Sequence, residues 1–487
     1  MNNLDYVRSN IKFDNSYFRE LIGFYSPVDP ISVPEPKLIC FNNILGDKFD
    51  LNRKYYDTPE GAQLFCGNIK PDGAQTISQV YAGHQFGGYS PQLGDGRAVL
   101  LGEIFDSEGN RFDLQLKGSG RTPYSRGGDG KAALGPVLRE YIISEAMHAL
   151  EVPSTRSLAA VSTGEQIYRE KRLPGAILTR VASSHLRVGT FQFIASLGDH
   201  KKLKKIADYA INRHFKKTMR AKNPYLEFLK EVSDKQAFLI AKWMNIGFIH
   251  GVMNTDNMSI SGETIDYGPC AFMDSYLASR VFSSIDTSGR YAFKNQPYIG
   301  QWNIARLAEA LLPLIDENLN KSISLATEVV ESFMEKYDYY WLDGMRKKLG
   351  IANKNSEDKA LVTEFLEILE VNGLDFTRSF LMFNNQEPQS FFNWVDNDIR
   401  AKNLYYKIKK RTEKNDSGNN QKSVNPTFIP RNHLVEEVIA KAYNDDYKPL
   451  KKLIKILERP YQPSIGLDYF ANPPKLVDEG YKTFCGT

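Results

Sequence analysis

Cysteines and long apolar runs are scarce in this sequence. Only four cysteines occur among 487 residues, too far apart for a zinc site or a disulfide framework. No apolar run approaches the ~20 residues of a membrane span, and the N-terminus has neither a signal-peptide core nor a transit-peptide pattern. We therefore expect a cytoplasmic protein without a membrane partner, in which Cys40 and Cys66 are buried as small apolar side chains.

The sequence also lacks an excess of charge of one sign. Its 62 Lys and Arg face 58 Asp and Glu, a net charge of +4. A dedicated nucleic-acid binder carries a much stronger positive field, so we expect no nucleic-acid partner. Hydrophobic residues make up 42% of the chain, which is enough to bury large cores. The composition is that of an ordinary globular protein.

A group of polar side chains follows an apolar helical stretch, at residues 250–268. The stretch reads His-Gly-Val-Met-Asn-Thr-Asp-Asn-Met-Ser-Ile-Ser-Gly-Glu-Thr-Ile-Asp-Tyr-Gly. Asp256 and Asn257 fall on a polar loop, and Asp266 follows a predicted short hairpin that turns at Ser-Gly-Glu. Because hard cations prefer carboxylate and amide oxygens, the stretch predicts a nucleotide and magnesium site.

The same stretch resembles the catalytic loop of protein kinases, with one difference. That loop reads His-Arg-Asp, four residues and Asn, and an Asp-Phe-Gly turn follows it. Alignment of Asn257 with the kinase Asn places His250 on the kinase His and Asp266 on the Asp of the turn. The catalytic Asp then falls on Val252, which cannot accept a proton. Either the chain is an inactive kinase or the base is Asp256, which we favour.

Upstream, strict alternation predicts a β-hairpin with strands at 97–105 and 111–117. Side chains alternate across a strand, so Lys117 ends the second strand on its polar face. A glycine-rich basic loop at 118–131 can approach a phosphate. A helix predicted at about 136–150 carries Glu140. In kinases, such a strand Lys forms an ion pair with a helix Glu. Lys117 and Glu140 could instead be two solvated side chains that do not meet. Because the stretch at 250–268 resembles a kinase loop, we favour the ion pair.

Together these patterns predict the fold class α+β, a bilobal protein-kinase-like fold with a mainly β N-lobe, a mainly α C-lobe and two terminal extensions. Prolines in the N-terminal extension predict an extended arm packed on the body. The segment at 407–424 is too polar to pack, so we expect it to be a mobile loop. The predicted segments are the N-terminal extension at 1–79, the N-lobe at 80–185, the C-lobe at 186–400, the C-terminal extension at 401–487 and the loop at 407–424.

Several strings between about 80 and 275 resemble the selenoprotein O family. They include Tyr81-Ala-Gly-His-Gln-Phe-Gly, Gly94-Asp-Gly-Arg97, Leu114-Gln-Leu-Lys-Gly-Ser-Gly-Arg-Thr-Pro-Tyr-Ser-Arg, His250-Gly-Val-Met-Asn-Thr-Asp-Asn-Met and Ile265-Asp-Tyr-Gly-Pro. This family is described as a pseudokinase fold that transfers AMP from ATP to protein hydroxyls and binds its nucleotide in reverse relative to kinases. The resemblance therefore explains the missing Asp at Val252.

The resemblance also implies roles for individual residues. Asp256 resembles the proton acceptor of the family. Lys117 and Glu140 resemble its kinase-type ion pair. Asn257 and Asp266 resemble the ligands of Mg²⁺ or Mn²⁺. The positions that resemble nucleotide-binding residues are Gly94, Gly96, Arg97, Lys117, Asp129, Gly130, Arg180, Arg187 and Asp266. The implied activity is adenylylation of Ser, Thr or Tyr hydroxyls of proteins, including the enzyme itself, with release of pyrophosphate.

The sequence is also compatible with other functions. Some members of the family are linked to UMP transfer with manganese. An ordinary phosphotransferase needs a base at Val252, and an ATP-binding scaffold gives no reason for the acidic and amide side chains downstream. Cys485 lies close to the C-terminus and Cys270 close to the predicted metal turn. We hypothesise that these two thiols form a regulatory disulfide under oxidising conditions.

Overall fold

The computed structural model describes residues 2–412, 424–474 and 480–484. The structure is α+β, with a strand-rich N-terminal part and a helical C-terminal part. The strands are β1 (Tyr25–Pro27), β2 (Lys37–Phe41), β3 (Ile77–Gln79), β4 (Gly83–Gln85), β5 (Gly88–Ser90), β6 (Ala98–Phe105), β7 (Arg111–Lys117), β8 (Ala132–Ala133), β9 (Arg156–Tyr168), β10 (Arg172–Ala182), β11 (Phe248–Ile249) and β12 (Ala271–Phe272).

The helices lie mainly after the strands. They are α1 (Asn3–Ser9), α2 (Ser16–Glu20), α3 (Asn43–Lys48), α4 (Arg53–Tyr56), α5 (Pro59–Phe65), α6 (Leu134–Ala149), α7 (Val188–Ser196), α8 (His200–His214), α9 (Pro224–Asn245), α10 (Gln296–Ile315), α11 (Leu319–Glu331), α12 (Phe333–Leu349), α13 (Asp358–Val371), α14 (Phe376–Phe383), α15 (Pro388–Trp394), α16 (Ile399–Thr412), α17 (Asn432–Ala442), α18 (Lys448–Leu457) and α19 (Asp468–Ala471). Within the described ranges, no helix combines the length and apolar character that a membrane crossing requires.

One antiparallel sheet organises the N-terminal part. Its strand order is β1-β3-β6-β7-β10-β9-β2, and β8 pairs with β10. The predicted hairpin is present as β6 and β7, whose register pairs Ala98 with Lys117 and Phe105 with Arg111. Since α6 begins at Leu134 and ends at Ala149, the predicted helix is also present.

Both faces of the sheet are covered. Leu114 and Leu116 of β7 belong to an apolar cluster formed with the N-terminal helices. Leu178 of β10 belongs to a second cluster, which includes side chains of α6, α17 and α18. The polar face of β7 is therefore withdrawn from water, and Asp113 and Gln115 are fully buried. Buried polar side chains need partners: Gln115 is hydrogen-bonded to Asp95 and Arg180, and Asp113 to His185 and Arg213.

The N-terminal segment differs from the predicted extended arm. It folds into the short helices α1 to α5, and its strands β1 and β2 form the two edges of the sheet. Asn42, Asn52 and Thr58 cap α3, α4 and α5, because each side chain accepts a hydrogen bond from a backbone N–H of the first turn. Pro59 occupies the first turn of α5, where a missing N–H costs nothing. Pro59 therefore begins a short helix, and Pro27 ends β1.

The hairpin predicted at 258–266 is wrong. Its two halves pair with other parts of the chain: Ser259 bridges Arg187, and Thr264 bridges Ser154. The chain does turn near Ser-Gly-Glu. However, the residues on either side of the turn form backbone bridges with residues far away in sequence and not with each other. As a result the polar stretch is held between the sheet and the helical part.

The loop predicted at 407–424 is also partly wrong. Residues 407–412 are the last turns of α16, and residues 413–423 lie outside the described part. Ile408 is fully buried in the helical core, so an apolar side chain anchors a segment that is otherwise strongly basic.

Cysteines follow the prediction where the structure describes them. Cys40, Cys66 and Cys270 are free thiols and buried. Burial raises the pKa of the Cys270 thiol to about 12, which makes it a poor nucleophile. Cys485 lies outside the described residues, so the disulfide stays a hypothesis. The nearby Thr483 donates a hydrogen bond from its hydroxyl to the carbonyl of Pro269, at 2.7 Å.

Lys348 is buried in the helical part, and we expect its replacement by Met to stabilise the protein. Its side chain is 4% exposed, and burial lowers its pKa to about 7. Its Nζ lies 4.1 Å from the ring centroid of Phe380, which compensates only part of the lost hydration. Below pH 7 the native state must bury a charge, so the gain should be several kcal/mol, with about 5 kcal/mol as the upper bound from the pKa shift.

The sign of the pH dependence follows from linkage. Between about pH 7 and the ordinary lysine pKa of 10.5, the unfolded chain binds the proton and the native state does not, so the cost of Lys348 shrinks as the pH rises. The difference in unfolding midpoint between Lys348→Met and wild type should therefore be largest below pH 7. Lys347→Met is the control, since Lys347 is exposed and ion-paired with Asp343. A difference independent of pH would contradict the prediction.

Candidate active site

Asp266 lies at the centre of a cluster of cations. Its Oδ1 is 2.7 Å from the Nζ of Lys117 and 2.6 Å from Nη1 of Arg180, and its Oδ2 is 2.5 Å from Nη1 of Arg187. Burial alone would favour the protonated acid, but the three cations outweigh it and hold the pKa of Asp266 well below its usual range. Asp266 is therefore ionised at neutral pH.

The sheet and α6 position the cations. Arg180 of β10 stands opposite Gln115 of β7, and the guanidinium donates to the Gln115 amide oxygen at 2.7 Å. Lys117 lies two residues further along β7 and so points to the same face. Glu140 of α6 reaches both, with Oε2 at 2.6 Å from Lys117 and Oε1 at 3.2 Å from Arg180. The contact predicted between Lys117 and Glu140 is thus present.

Arg187 connects the cluster to the polar loop. Its Nη1 also donates to the backbone carbonyl of Asp256 at 2.8 Å, so one guanidinium holds both ends of the stretch from Asp256 to Asp266. Its Nη2 is 3.6 Å from Asp95, and its guanidinium lies 4.5 Å from the ring centroid of Tyr81. Asp95 is buried and was missed in the sequence, although it lies inside the Gly-Asp-Gly-Arg string.

Asp256 is the second carboxylate of the site, and it differs from Asp266. It lies in a single 3-10 turn, Thr255–Asn257, and is 8% exposed. Burial raises its pKa to about 6. Gln85 donates to its Oδ2 at 3.4 Å, whereas its buried Oδ1 has no hydrogen-bond partner within the described residues. A buried acceptor without a donor is costly in a resting protein and suits a group that must take up a proton.

A short hairpin made of β4 and β5 covers Asp256. Phe86 and Gly87 form its turn, with φ of 51° and 88°, which is the backbone of a type I′ turn. The backbone N–H of His84 donates to the Thr255 hydroxyl at 2.7 Å, and that of Phe86 donates to Oδ1 of Asn254 at 3.1 Å. The hairpin is therefore fixed to the same loop that carries Asp256. The sequence signal for it was the Phe-Gly-Gly turn.

We expect Gly83→Ala to reduce catalysis without unfolding the protein. A Cβ at Gly83 would lie 2.4 Å from Oδ1 of Asp256 and 2.6 Å from Cδ1 of Leu93, so the ends of both side chains must shift to admit it. A displaced proton acceptor should lower kcat by tenfold or more while ATP affinity stays unchanged. Gly88→Ala on the same hairpin is the matched control, because its Cβ would meet only the Gln85 carbonyl, at 3.5 Å. Equal rates for both variants would contradict this account.

Asn257 and Asp266 offer oxygen ligands for a divalent cation. The side-chain amide of Asn257 donates to the carbonyl of Val252 at 3.0 Å, which leaves its amide oxygen for a ligand. The described part of the chain has no group of three or more His, Cys, Asp or Glu side chains that could hold a metal. Mg²⁺ commonly binds through one or two protein oxygens and completes its shell with phosphates and water. This donor set fits such an ion.

The other predicted nucleotide-binding residues lie at a second place, formed by the segment before β6 and the loop after β7. A cavity of about 560 Å³ is lined by Gly96, Arg97, Tyr124, Ser125, Arg126, Gly128, Asp129, Gly130, Lys131 and Arg169. Asp129 is held there by Arg169, at 2.9 Å from both guanidinium nitrogens. Gly94 packs on Tyr124 so closely that a Cβ would lie 2.5 Å from its ring.

Backbone contacts join this cavity to the cation cluster. The N–H of Gly118, the residue after Lys117, donates to the carbonyl of Arg97 at 2.7 Å. Gly130 has φ of 68°, and a Cβ there would lie 2.0 Å from the carbonyl of Gly120. The loop is therefore folded back on itself beside the end of β7. The structure groups the predicted residues into two adjacent sets, a cation and carboxylate cluster and a glycine-lined cavity.

Comparison with known proteins agrees with this chemistry. A family model described as protein adenylyltransferase SelO matches residues 7–458. A protein nucleotidyltransferase YdiU of Geobacillus kaustophilus is 52% identical over 480 residues, covering 98% of this chain and 99% of that protein. Proteins of the same description are 50% identical in Anoxybacillus flavithermus, over 99% of this chain and 100% of theirs, and 49% identical in Rhizobium meliloti, over 98% and 99%.

The fold, the site and these matches together define an enzyme of the nucleotidyltransferase class, which uses a nucleotide substrate and modifies proteins. Within that class, the chain belongs to the SelO family of protein adenylyltransferases.

Proposed function

We propose that this enzyme transfers AMP from ATP to Ser, Thr or Tyr hydroxyls of proteins, itself included, and releases pyrophosphate. The observation that carries the proposal is the pairing of two unlike carboxylates beside a cation cluster. Asp266 is kept ionised by its cations, whereas the pKa of Asp256 is raised to about 6 and its Oδ1 has no donor in the part of the chain that the structure describes. One carboxylate is suited to binding charge and the other to accepting a proton.

The cation cluster supports a reversed nucleotide. Lys117, Arg180 and Arg187 converge on one carboxylate, that of Asp266. Together they would bind a polyphosphate through charge-assisted hydrogen bonds. A γ-phosphate held so firmly is badly placed for transfer, whereas pyrophosphate is a leaving group whose charge needs stabilising. We therefore place the outer phosphates on these cations and the α-phosphate beside Asp256.

In the proposed reaction the acceptor hydroxyl attacks the α-phosphorus in line. Its proton passes to Oδ1 of Asp256, the new O–P bond forms, and the bond from the α-phosphorus to the bridging oxygen breaks. Pyrophosphate leaves with its charge held by Lys117, Arg180 and Arg187. Asn257 and Asp266 would hold Mg²⁺ or Mn²⁺, which neutralises phosphate charge when bound.

We further propose the bilobal kinase-like arrangement with the division predicted from the sequence. The Lys117–Glu140 contact of 2.6 Å supports it, since kinases join a strand Lys to a helix Glu in this way. Gly94, Gly96, Arg97, Asp129 and Gly130 would then contact the part of the nucleotide that extends along the glycine-lined cavity.

Labelling with ATP that carries the label at either the α- or the γ-phosphate tests the proposed function. With Mg²⁺ and ATP labelled at the α-phosphate, the enzyme or added proteins should become labelled, and γ-labelled ATP should leave them unlabelled. Intact mass should show an added adenylyl group, and peptide mapping should place it on a hydroxyl. Label from the γ-position alone would mean an ordinary phosphotransferase, and label from neither would favour an ATP-binding scaffold. Stronger labelling from α-labelled UTP with Mn²⁺ would support the UMP alternative.

A further inference from the structure

A cationic and aromatic surface surrounds the tip of the hairpin, and the proposed chemistry does not use it. We call it the tip surface; it consists of Phe86, Tyr89, Arg290, Tyr298 and Trp302. Phe86, Tyr89 and Tyr298 are 37%, 43% and 62% exposed. Tyr298 and Trp302 lie four residues apart on α10 and so face the same side. Large exposed aromatic side chains grouped in this way are typical of surfaces that bind another chain.

The guanidinium of Arg290 lies beneath the hairpin tip. A Cβ placed on Gly87 would be 3.8 Å from its Cζ. The same Cζ is 4.8 Å from the ring centroid of Trp302 and 5.7 Å from that of Tyr291. Two aromatic rings therefore hold this guanidinium in place, so little side-chain entropy is lost when it binds a ligand.

No carboxylate within the described residues forms an ion pair with Arg290, and its Nε is buried without a hydrogen-bond partner. Asp286 is close in sequence, but its oxygens accept from the backbone N–H groups of Arg290 and Tyr291, at 2.9 and 2.8 Å. Arg306 lies against the same Trp302 ring, yet it is paired with Glu309 at 2.6 Å. The tip surface thus presents a fixed cation, Arg290, for which residues 2–412, 424–474 and 480–484 supply no anionic partner.

The tip surface is rigidly connected to the proton acceptor. The Tyr291 hydroxyl donates to Oδ1 of Asn254 at 2.5 Å, and the Phe86 N–H donates to the same oxygen. Gly83, at the other end of the hairpin strand, contacts Asp256. Three steps along the chain separate Gly83 from Phe86, which is about 10 Å at ~3.3 Å per residue. An extended polypeptide spans that distance with about three residues, or four where it is not fully extended.

We infer that the tip surface binds the acceptor protein in an extended form and that Arg290 selects an Asp or Glu about three to four residues from the hydroxyl that is modified. The inference rests on the proposed function and names its substrate class. The aromatic side chains supply contact area, and the carboxylate supplies a charge-assisted hydrogen bond to a guanidinium that is already positioned. Neutral or basic residues at that position leave Arg290 unpaired and should be disfavoured.

A peptide array tests the inference directly. The probes are Ser, Thr and Tyr peptides that carry one Asp, Ala or Lys at each position up to five residues on either side of the hydroxyl, incubated with Mg²⁺ and α-labelled ATP. The wild type should label peptides with Asp at one offset of about three or four at least tenfold more than the Ala versions. Arg290→Glu should lose this preference and favour Lys at the same offset, with unchanged ATP affinity. Lys294→Glu, at an exposed cation near the start of α10, is the matched control and should keep it.

Each other outcome overturns the inference. An equal label on Asp and Ala peptides, or the same preference in Arg290→Glu and wild type, removes Arg290 as a selector. A tenfold loss of ATP affinity in Arg290→Glu would assign the guanidinium to the nucleotide. If the array stays unlabelled while proteins in a cell extract accept the α-label, the inference fails and the proposed function stands. If neither is labelled, both fail.

Discussion

Replacement of Asp256 by Asn should reduce the rate of AMP transfer by about two to four orders of magnitude while ATP affinity stays within a few-fold of wild type. A general base acts mainly in the transition state, so its loss lowers kcat rather than ground-state binding. Asn keeps the shape of the side chain and the contact with Gln85, but its amide cannot take up the hydroxyl proton. Isothermal titration with ATP and initial rates of α-label incorporation measure the two quantities separately.

The stability of this variant provides its control. Burial raises the pKa of Asp256 from 3.8 to about 6, so the native state favours the protonated acid. Stability contributed by this group therefore falls as the pH rises from about 4 to 6, and above pH 6 the charged side chain costs on the order of 2 kcal/mol. In metal-free buffer at pH 7.5, Asp256→Asn should unfold at a higher temperature than wild type. An inactive variant that is also less stable would point to misfolding.

The position of the base can be checked further with Val252→Asp. In combination with Asp256→Asn, the new carboxylate should not restore AMP transfer. It should not support transfer of the γ-phosphate to a protein either, because a nucleotide in the proposed reversed orientation would present the wrong phosphate at position 252. Recovery of γ-phosphate transfer would mean that the nucleotide binds as it does in ordinary kinases.

The second large effect concerns Asp266→Asn, which should abolish the dependence of nucleotide binding on a divalent cation. In wild type, Asp266 neutralises Lys117, Arg180 and Arg187 and would also bind the metal. Asn leaves these cations without their shared anion. We expect the variant to lose several kcal/mol of stability and to bind ATP equally well with and without Mg²⁺. Wild type should bind at least tenfold more tightly with Mg²⁺.

Anions should rescue this variant specifically. Pyrophosphate without metal should raise the unfolding temperature of Asp266→Asn more than that of wild type, since it replaces the missing charge at the three cations. Asp274→Asn is the matched control: Asp274 is another partly buried carboxylate, and its ion-pair partner Arg431 is not one of the site cations. It should destabilise the protein without changing metal dependence or pyrophosphate rescue. If wild type binds ATP equally well with and without Mg²⁺, the assignment of Asn257 and Asp266 as metal ligands is contradicted.

Local patterns in the sequence predict much of the framework of the site. Alternation from Arg111 to Lys117 correctly gives β7 and the face that Lys117 occupies, and helical spacing gives α6 with Glu140. Both elements depend on contacts between residues close in sequence or on a single apolar face, and such contacts leave a periodic signal. The contact between Lys117 and Glu140 could be predicted because both ends lie on regular elements.

Other parts of the site leave no periodic signal. Gln85 meets Asp256 across 171 positions of the chain, and no spacing rule connects them. Asp95 contacts Arg187 from a turn, where polar residues are ordinary. The predicted hairpin at 258–266 failed for the same reason, since Arg187 and Ser154 provide the backbone partners from far away in sequence. Tertiary pairing overrides local turn preference at these places.

The edges of the central sheet have a consequence for synthesis of the chain. β1 and β2 are made first, yet they close opposite edges of a sheet whose inner strands are translated later. Neither can pair until β3 and β9 leave the ribosome, so this part of the protein folds late and through distant contacts. A shortened version that starts after Phe41 would leave two strand edges open to other chains. Such a version should aggregate during expression even though it retains every proposed catalytic residue.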